Sequence, residues 1–369
     1  MNEKYLPLPD PSPLAHNLQF AFSGRTASNR SMKAAMTEQF ASWHPDEPQK
    51  RGIPTKNLIR VYKRWARGGI GLILTGNSST SPLLPPFKAC MIFLDHLESL
   101  LQEFPVAASA VPVDRAGAKK PLDFNLPHEA SQVGIDAIVD SFAHAAEYLA
   151  KSGYDGLEIY GGHGFFLSGF LSLATNKRTD QYGGRIENRM RVILETREAI
   201  RQRVSPAFIV GIKISSAEFQ ASVFSVEDAQ KLGGTAENTI TAHRGEKVRE
   251  STKIREAYFQ QFAEKFITGL SKTKVYITGG LRTVGGLVKP LDVVDTVGLG
   301  RPLVQEFNLC KKILESEVVD SIMSKIGPGE FWLALMARNR IIREVGQGKE
   351  PMELWREKVV AELRRSYDV

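Results

Sequence analysis

Short apolar runs that alternate with amphipathic helical segments are the feature that most constrains the fold of this 369-residue chain. An apolar run that is followed by a helix and then by another such run is typical of a parallel β-sheet buried on both faces. Strands are expected at residues 32–36, 68–76, 157–160, 208–214, 275–278 and 296–299. Helices are expected at residues 57–67, 135–151 and 187–204. The alternation predicts an α/β fold.

Six strands are two fewer than a (β/α)8 barrel requires, and the sequence has two gaps in which the others would fall. In the first gap only residues 90–94 and 106–111 are strand candidates, and both are poor. The second gap, which includes residues 233–245, holds no four consecutive apolar residues. We therefore expect a TIM barrel whose third and sixth strands are weak or missing. The chain would form one domain, residues 1–369, with a helical tail at about 329–369.

Composition excludes several classes of protein. The formal net charge is +7, but acidic and basic residues are interspersed, which argues against a nucleic-acid partner. Cys90 and Cys310 are the two cysteines and lie far apart, so a disulfide framework or a zinc site is not expected. The polar, proline-rich start of the chain does not resemble a signal peptide, and no apolar stretch reaches the ~20 residues of a membrane span. We expect a cytoplasmic protein that contacts no membrane and binds no metal.

Tyr160 and His163 fall at the exit of the strand at 157–160, where a parallel barrel places its active site. A histidine there can hydrogen-bond to a substrate oxygen and polarise it. The alternative is a loop histidine that faces solvent or holds the backbone, and the residues alone favour that alternative. The polar loop at residues 176–189, which comes next, is interpreted as a structural loop that braces the barrel rim.

Lys213 lies inside the apolar run 209–214. A lysine on a strand buried on both faces is costly unless its charge meets an anion or a polarisable ligand atom. The alternative is a side chain that the strand turns outward, and the residues do not decide between the two.

Two late strands end in glycine-rich turns, which barrels use to bind phosphate through backbone N–H groups. The first turn contains Gly279 and Gly280, and the second contains Gly300 followed by Arg301, whose guanidinium can donate to phosphate oxygens. A single Gly-Gly is common in tight turns. Two such turns after consecutive strands favour a phosphate site.

These motifs together resemble the old yellow enzyme or NADH:flavin oxidoreductase family. The resemblance is most specific between Gly153 and Arg189, which include Thr-Asn-Lys-Arg-Thr-Asp-Gln-Tyr-Gly-Gly and Glu-Asn-Arg. It continues in Ser-Gly-Arg at residues 23–25, Lys-Ala-Ala-Met-Thr-Glu at 33–38, Gly-Ile-Lys at 211–213, Thr-Gly-Gly-Leu-Arg-Thr at 278–283 and Gly-Leu-Gly-Arg-Pro-Leu at 298–303.

The resemblance implies an FMN-bound barrel that takes hydride from NADPH or NADH and passes it to an activated alkene. It implies that Lys213 stabilises the reduced flavin. The residues that would line or flank the flavin ring are Ala34, Ala35, Met36, Thr37 and Gly76. The residues that would hold its phosphate are Gly279, Gly280, Gly300 and Arg301.

The sequence departs from the family pattern at the substrate site. Tyr160 stands where the family usually has histidine, and Phe165 replaces the tyrosine that donates a proton. The glutamine of the third strand has no match. The chain is either a diverged relative or one that lacks segments present in functional relatives, and the abruptness of both gaps favours lost segments.

Three functions compete at this point. The first is reduction of the C=C bond of an α,β-unsaturated carbonyl compound or a related metabolite, with His163, Tyr160 and Lys213 as the catalytic residues. The second is a degenerate, non-catalytic barrel that has lost FMN binding or activity. The third is a phosphate-binding isomerase or lyase without flavin, which leaves residues 153–189 unexplained. The expected partner is a small-molecule substrate, and the sequence specifies no oligomeric state.

Overall fold

The computed structural model describes residues 9–38, 42, 44, 46–47, 50, 53–78, 91–92, 105–112, 125–162, 165–215, 239–243, 273–327 and 329–367. Its strands are β1 (Leu18–Phe20), β2 (Arg25–Ala27), β3 (Ser31–Lys33), β4 (Leu72–Ile73), β5 (Asn77–Ser78), β6 (Met91–Ile92), β7 (Val106–Ala107), β8 (His128–Glu129), β9 (Gly156–Gly161), β10 (Ile209–Ser215), β11 (Thr239–His243), β12 (Lys274–Thr278) and β13 (Thr296–Leu299). Its α-helices are α1 (Ser12–Ala15), α2 (Lys56–Ala66), α3 (Gln132–Lys151), α4 (Phe166–Leu171), α5 (Ile186–Arg189), α6 (Arg191–Arg203), α7 (Val284–Val288), α8 (Pro302–Gln305), α9 (Leu309–Leu314), α10 (Phe331–Gly346) and α11 (Glu357–Ser366), and a 3₁₀ turn spans Lys289–Asp292.

The main sheet is a parallel ladder in the order β4-β3-β13-β12-β11-β10-β9-β6-β5. Its two end strands are neighbours in the chain, because β4 ends at Ile73 and β5 begins at Asn77. Residues 72–78 therefore serve as one barrel strand that contacts both β3 and β6, and the ladder returns to its starting point. The ring has the parallel architecture of a (β/α)8 barrel, as the sequence predicts.

The third and sixth positions of the ring are both occupied. β6 fills the third position, and its described residues, Met91 and Ile92, pair with β5 and β9. The sixth strand, which we expected to be weak or missing, is present as β11 and pairs along its full length with β10 and β12. Its sequence, Thr-Ile-Thr-Ala-His, lacks an apolar run, but threonine and isoleucine favour extended backbone. The other candidate, at 106–111, contributes β7, which pairs with β8 outside the ring.

The elements predicted from the apolar pattern are confirmed, with bounds shifted by a few residues. The predicted helix at 187–204 is divided into α5 and α6 at Met190. The last described residues of the chain form α10 and α11. Among the helices of the described ranges, none combines the length and the apolar character needed to cross a membrane.

Two apolar clusters fill the described part of the barrel. The larger joins the outward faces of the strands to the helices, and it includes the packed pair α3 and α6, where Phe142 and Ile200 are fully buried. The Ser131 side chain caps α3 by accepting a hydrogen bond from the Gly134 N–H at 3.1 Å. The smaller cluster packs the β1–β2 hairpin against Met32 and Tyr276.

The loop at residues 176–189 is held by buried hydrogen bonds. The Asn176 amide donates to the carbonyl oxygens of Phe170, at 2.7 Å, and Tyr182, at 2.8 Å, and accepts from the Arg178 N–H at 3.0 Å. The Arg178 guanidinium donates to the carbonyl oxygen of Ala130 at 2.8 Å. The bonds to Tyr182 and from Arg178 hold the loop in its own conformation, and those to Phe170 and Ala130 tie it to neighbouring segments, which confirms the interpretation of the loop as a structural brace.

Replacing Asn176 tests the brace. Asn176→Ala leaves two buried carbonyl oxygens and one N–H without their partner, and we expect it to lower the free energy of unfolding by about 2–4 kcal/mol. The measurement is urea unfolding followed by circular dichroism. Gln181→Ala, an exposed change in the same loop, is the control and should cost no more than about 0.5 kcal/mol. Equal midpoints for Asn176→Ala and the unmodified chain would contradict the assignment.

Candidate active site

The carboxyl ends of the ring strands bring most of the predicted site residues to one rim. Ring order places β12, β13 and β3 side by side on one part of it and β9 with β10 on another. The predicted residues of the first part are Ala34, Ala35, Met36 and Thr37 after β3, Gly279 and Gly280 after β12, and Gly300 and Arg301 after β13, with Gly76 in the neighbouring strand segment. Tyr160 and Lys213 lie on β9 and β10, and His163 lies outside the described residues.

Tyr160 and Lys213 are paired directly across the β9–β10 ladder. Both are buried, and the Lys213 ammonium lies 5.3 Å from the centroid of the Tyr160 ring, within cation–π range. The alternative that the strand turns the Lys213 side chain outward is therefore wrong. The side chain lies inside the ring, against the face of the Tyr160 ring.

Glu158, two residues before Tyr160, is the charged neighbour of Lys213. Burial lowers the pKa of the Lys213 ammonium, and the Glu158 carboxylate acts in the opposite direction by favouring the protonated form. The sequence carried a signal that we did not use: Glu158 and Tyr160 alternate along one strand, so both face the same side. The result is a buried acid–base pair below the rim.

Phe165 packs edge-on against Tyr160, with ring centroids 5.0 Å apart and an angle of 76° between the planes. It lies next to the carboxyl end of β9, immediately before α4. Its ring can shape a pocket and exclude water, but it carries no transferable proton. Tyr160 is thus the residue of this aromatic pair with a hydroxyl group.

The two glycine turns expose backbone donors side by side. Gly279 and Gly280 have φ angles of 119° and 75°, which favour glycine. Within the described ranges, the N–H groups of Gly279, Gly280, Gly300 and Arg301 have no hydrogen-bond acceptor. The Arg301 side chain is exposed and forms no ion pair with a described residue. Adjacent free N–H groups beside a guanidinium suit a phosphate.

Residues 34–37 run from β3 alongside the second glycine turn. The Ala34 N–H donates to the Leu299 carbonyl oxygen at 2.8 Å, and a Cβ added at Gly300 would lie 3.9 Å from the Met36 sulfur. Ala34 and Met36 are buried. Residues 34–37 form a largely apolar surface, called the floor below, beside the N–H groups of the second glycine turn. A flavin whose phosphate bound those N–H groups could place its ring on this surface.

A buried polar cluster borders this floor and was not predicted as part of the site. The Glu38 carboxylate accepts hydrogen bonds from the Tyr62 hydroxyl and from the Gly76 N–H, the latter at 2.9 Å. The Lys33 ammonium donates to the Leu74 carbonyl oxygen at 2.8 Å and lies 4.4 Å from the centroid of the Trp65 ring.

Burial raises the pKa of Glu38, while the Lys33 ammonium and the Gly76 N–H act to lower it. Sequence reasoning missed the cluster because Glu38 and Tyr62 are 24 positions apart and come from a loop and a helix. The one available signal was a lysine and a glutamate that flank an apolar stretch.

The described residues therefore fit FMN. The donors of the glycine turns and Arg301 match its phosphate, residues 34–37 match its ring, and Lys213 supplies a buried positive charge at the same rim. None of these features requires a metal ion.

Comparison with known proteins decides the family. The model of the NADH:flavin oxidoreductase / NADH oxidase family matches residues 94–319, which is more than half of the chain. This chain belongs to that family. It is 36% identical to the NADH-dependent flavin oxidoreductase nadA of Aspergillus parasiticus, over 94% of this chain and 88% of the relative. It is 29% identical to the NADH-dependent flavin oxidoreductase iccE of Talaromyces variabilis, over 76% and 81% of the two chains.

The alignment with nadA spans 395 positions, more than the 369 residues of this chain, so the relative contains segments that have no counterpart here.

Solved structures of old yellow enzymes share the fold. Morphinone reductase in complex with tetrahydroNAD is 19% identical and has a TM-score of 0.65, over 84% of this chain and 92% of that one. The old yellow enzyme from Trypanosoma cruzi is 17% identical, with a TM-score of 0.66 over 84% and 94% of the two chains.

A double-mutant cycle on the buried acid–base pair tests the electrostatic description of this NADH:flavin oxidoreductase. Lys213→Met removes the cation beside the buried Glu158 carboxylate. It should therefore lower the free energy of unfolding more in the unmodified protein than in the Glu158→Gln variant. We expect a coupling energy of at least about 1 kcal/mol from denaturant unfolding of the flavin-free protein. Costs that add within about 0.5 kcal/mol would show that the two charges do not interact.

Proposed function

We propose that this protein binds FMN at the rim and uses NADH or NADPH to reduce the activated C=C bond of an α,β-unsaturated carbonyl compound or a related metabolite. The observation that carries the proposal is the pair of glycine turns beside Arg301, whose N–H groups have no acceptor among the described residues, on the same rim as the buried Lys213. Membership of the family supports it. The names of nadA and iccE, both NADH-dependent flavin oxidoreductases, favour NADH as the reductant.

When bound, FMN would supply the hydride-transfer chemistry between the nicotinamide and the electron-poor carbon of the alkene. The protein residues hold the reactants. Gly279, Gly280, Gly300 and Arg301 would bind the phosphate, and residues 34–37 with Gly76 would support the ring. Lys213 would place its positive charge near the ring, where it favours added negative charge.

The substrate side is built around Tyr160. We assign its hydroxyl, together with His163, to the carbonyl oxygen of the substrate, since a hydrogen bond there withdraws electrons from the alkene. Phe165 packs against Tyr160 and excludes water from one side. Because Phe165 cannot donate a proton, the proton added to the second alkene carbon comes from solvent or from the substrate, and turnover is slow.

Phe165 also favours a second candidate, a barrel that binds FMN or has lost it and does not catalyse. The two candidates differ in what happens to NADH.

The deciding experiment follows NADH oxidation by the FMN-loaded protein without oxygen, with 2-cyclohexen-1-one as the acceptor. We expect one cyclohexanone molecule for each NADH consumed, at a rate that scales with protein concentration. NADH consumption no faster than with free FMN, and no cyclohexanone, would reject the oxidoreductase in favour of the non-catalytic barrel.

Restoring a hydroxyl at position 165 tests the assignment of the missing acid. Phe165→Tyr should raise kcat for 2-cyclohexen-1-one at least about tenfold, toward the 10²–10⁴-fold typical of a positioned general acid. Phe165→Leu is the matched control, since it alters the ring without adding a proton donor, and it should give no gain. A kcat for Phe165→Tyr equal to that of the unmodified protein would mean that proton transfer does not limit turnover.

A further inference from the structure

The buried cluster of Lys33, Glu38 and Tyr62 has a geometry that a packing role alone does not explain. Lys33 and Glu38 bracket residues 34–37, the floor of the proposed flavin site, at its two ends. Both anchors reach the same neighbouring stretch, because Lys33 bonds to the Leu74 carbonyl oxygen and Glu38 to the Gly76 N–H. The two segments that would flank the flavin ring are thus tied together at both ends.

The contact at Gly76 is unusually close. A Cβ added there would lie 2.0 Å from a Glu38 carboxylate oxygen and 2.8 Å from the Met36 carbonyl oxygen. The Gly76 N–H is shared between Glu38 and the Tyr62 hydroxyl, which lies at 3.0 Å. Only glycine allows the carboxylate to approach the backbone this closely, and the approach fixes the Gly76 peptide relative to Met36.

Charges inside an apolar shell are a costly way to achieve packing alone. Lys33 is fully buried, between Trp65 and Tyr62, and Glu38 is buried as well. Apolar side chains of similar volume often stabilise a core as much as or more than a buried ion pair does. Directional hydrogen bonds, in contrast, set the orientation of particular peptide groups.

We propose that Glu38 is a positioning residue for the flavin site, which clamps Gly76 and residues 34–37 into the one arrangement that accepts the flavin ring. Tyr62 orients the carboxylate, and Lys33 secures the other end of the floor. The inference rests on the proposed function for its ligand, but the clamp itself is a property of the protein alone.

The two oxygens of Glu38 allow a sharp test. Both described hydrogen bonds end on the same oxygen, Oε1, so Glu38→Gln retains an acceptor for the Tyr62 hydroxyl and the Gly76 N–H and removes only the charge. Glu38→Ala removes both bonds. Glu350→Ala is the matched control. Glu350 is an exposed carboxylate that pairs with Arg64, and Arg64 lies on α2 together with Tyr62.

The first readout is the Kd for FMN, measured by quenching of flavin fluorescence with the flavin-free proteins. We expect Glu38→Ala to raise the Kd at least about tenfold, because that is the size of effect that the loss of a buried hydrogen bond to a charged group produces. Glu38→Gln and Glu350→Ala should each raise the Kd less than about threefold. If Glu38→Ala does not fold by circular dichroism, Tyr62→Phe takes its place and should raise Kd by about threefold or more. Unchanged Kd in the folded variant would overturn the proposal.

The second readout is amide hydrogen exchange of peptides that cover residues 34–38 and 74–78, without flavin. Exchange should accelerate in Glu38→Ala at these segments and not at α3, and Glu38→Gln should restore protection. If the unmodified chain binds no FMN, the proposed function fails, and exchange still decides the clamp. Faster exchange at both segments supports it, and unchanged exchange contradicts it.

Discussion

The parallel pairing of the ring strands is the constraint on which the rest of the structure depends. Parallel strands all end at the same edge, so residues that are distant in sequence meet there without any direct preference for one another. The glycine turns after β12 and β13 and the floor after β3 become neighbours only because β13 lies between β12 and β3. The return of the ladder to residues 72–78 removes free edges from the described ring and brings Gly76 beside the floor.

Side-chain alternation along these strands separates packing from chemistry. The outward residues of β9, Leu157 and Ile159, join the core beneath the helices, while Glu158 and Tyr160 point inward. Lys213 follows the same rule on β10 and meets both. The charges of Glu158 and Lys213 are therefore buried together, which limits the cost of removing each from water. The Lys33–Glu38 cluster repeats this solution at another part of the rim.

Much of the fold was predictable because apolar periodicity records burial directly. Six strands and the main helices follow from it, and so does the helical tail. The sixth strand, Thr239–His243, was not predicted because polar and apolar residues alternate along it, so it contains no continuous apolar run. The third strand lies within the poor candidate at 90–94, of which the described residues Met91 and Ile92 form β6.

The site was predictable only where its residues are contiguous in the chain. Gly279, Gly280, Gly300 and Arg301 stand out as motifs, and the resemblance to a family gave them a ligand. The network of Glu38 and Tyr62 depends on contacts between a loop and a helix, which neither spacing nor composition reveals. Phe165, in contrast, could be recognised from the sequence alone, because phenylalanine lacks the hydroxyl of the tyrosine that it replaces.

The property on which the proposed function depends is the ability of this ring to hold FMN in a form that NADH can reduce. Its most direct test is the visible absorption spectrum of the purified protein during titration with FMN, followed by NADH in the absence of oxygen. We expect saturation at one FMN per chain, a bound-flavin spectrum shifted from that of free FMN, and bleaching of the visible flavin band by NADH. A chain that neither carries nor takes up FMN would contradict it.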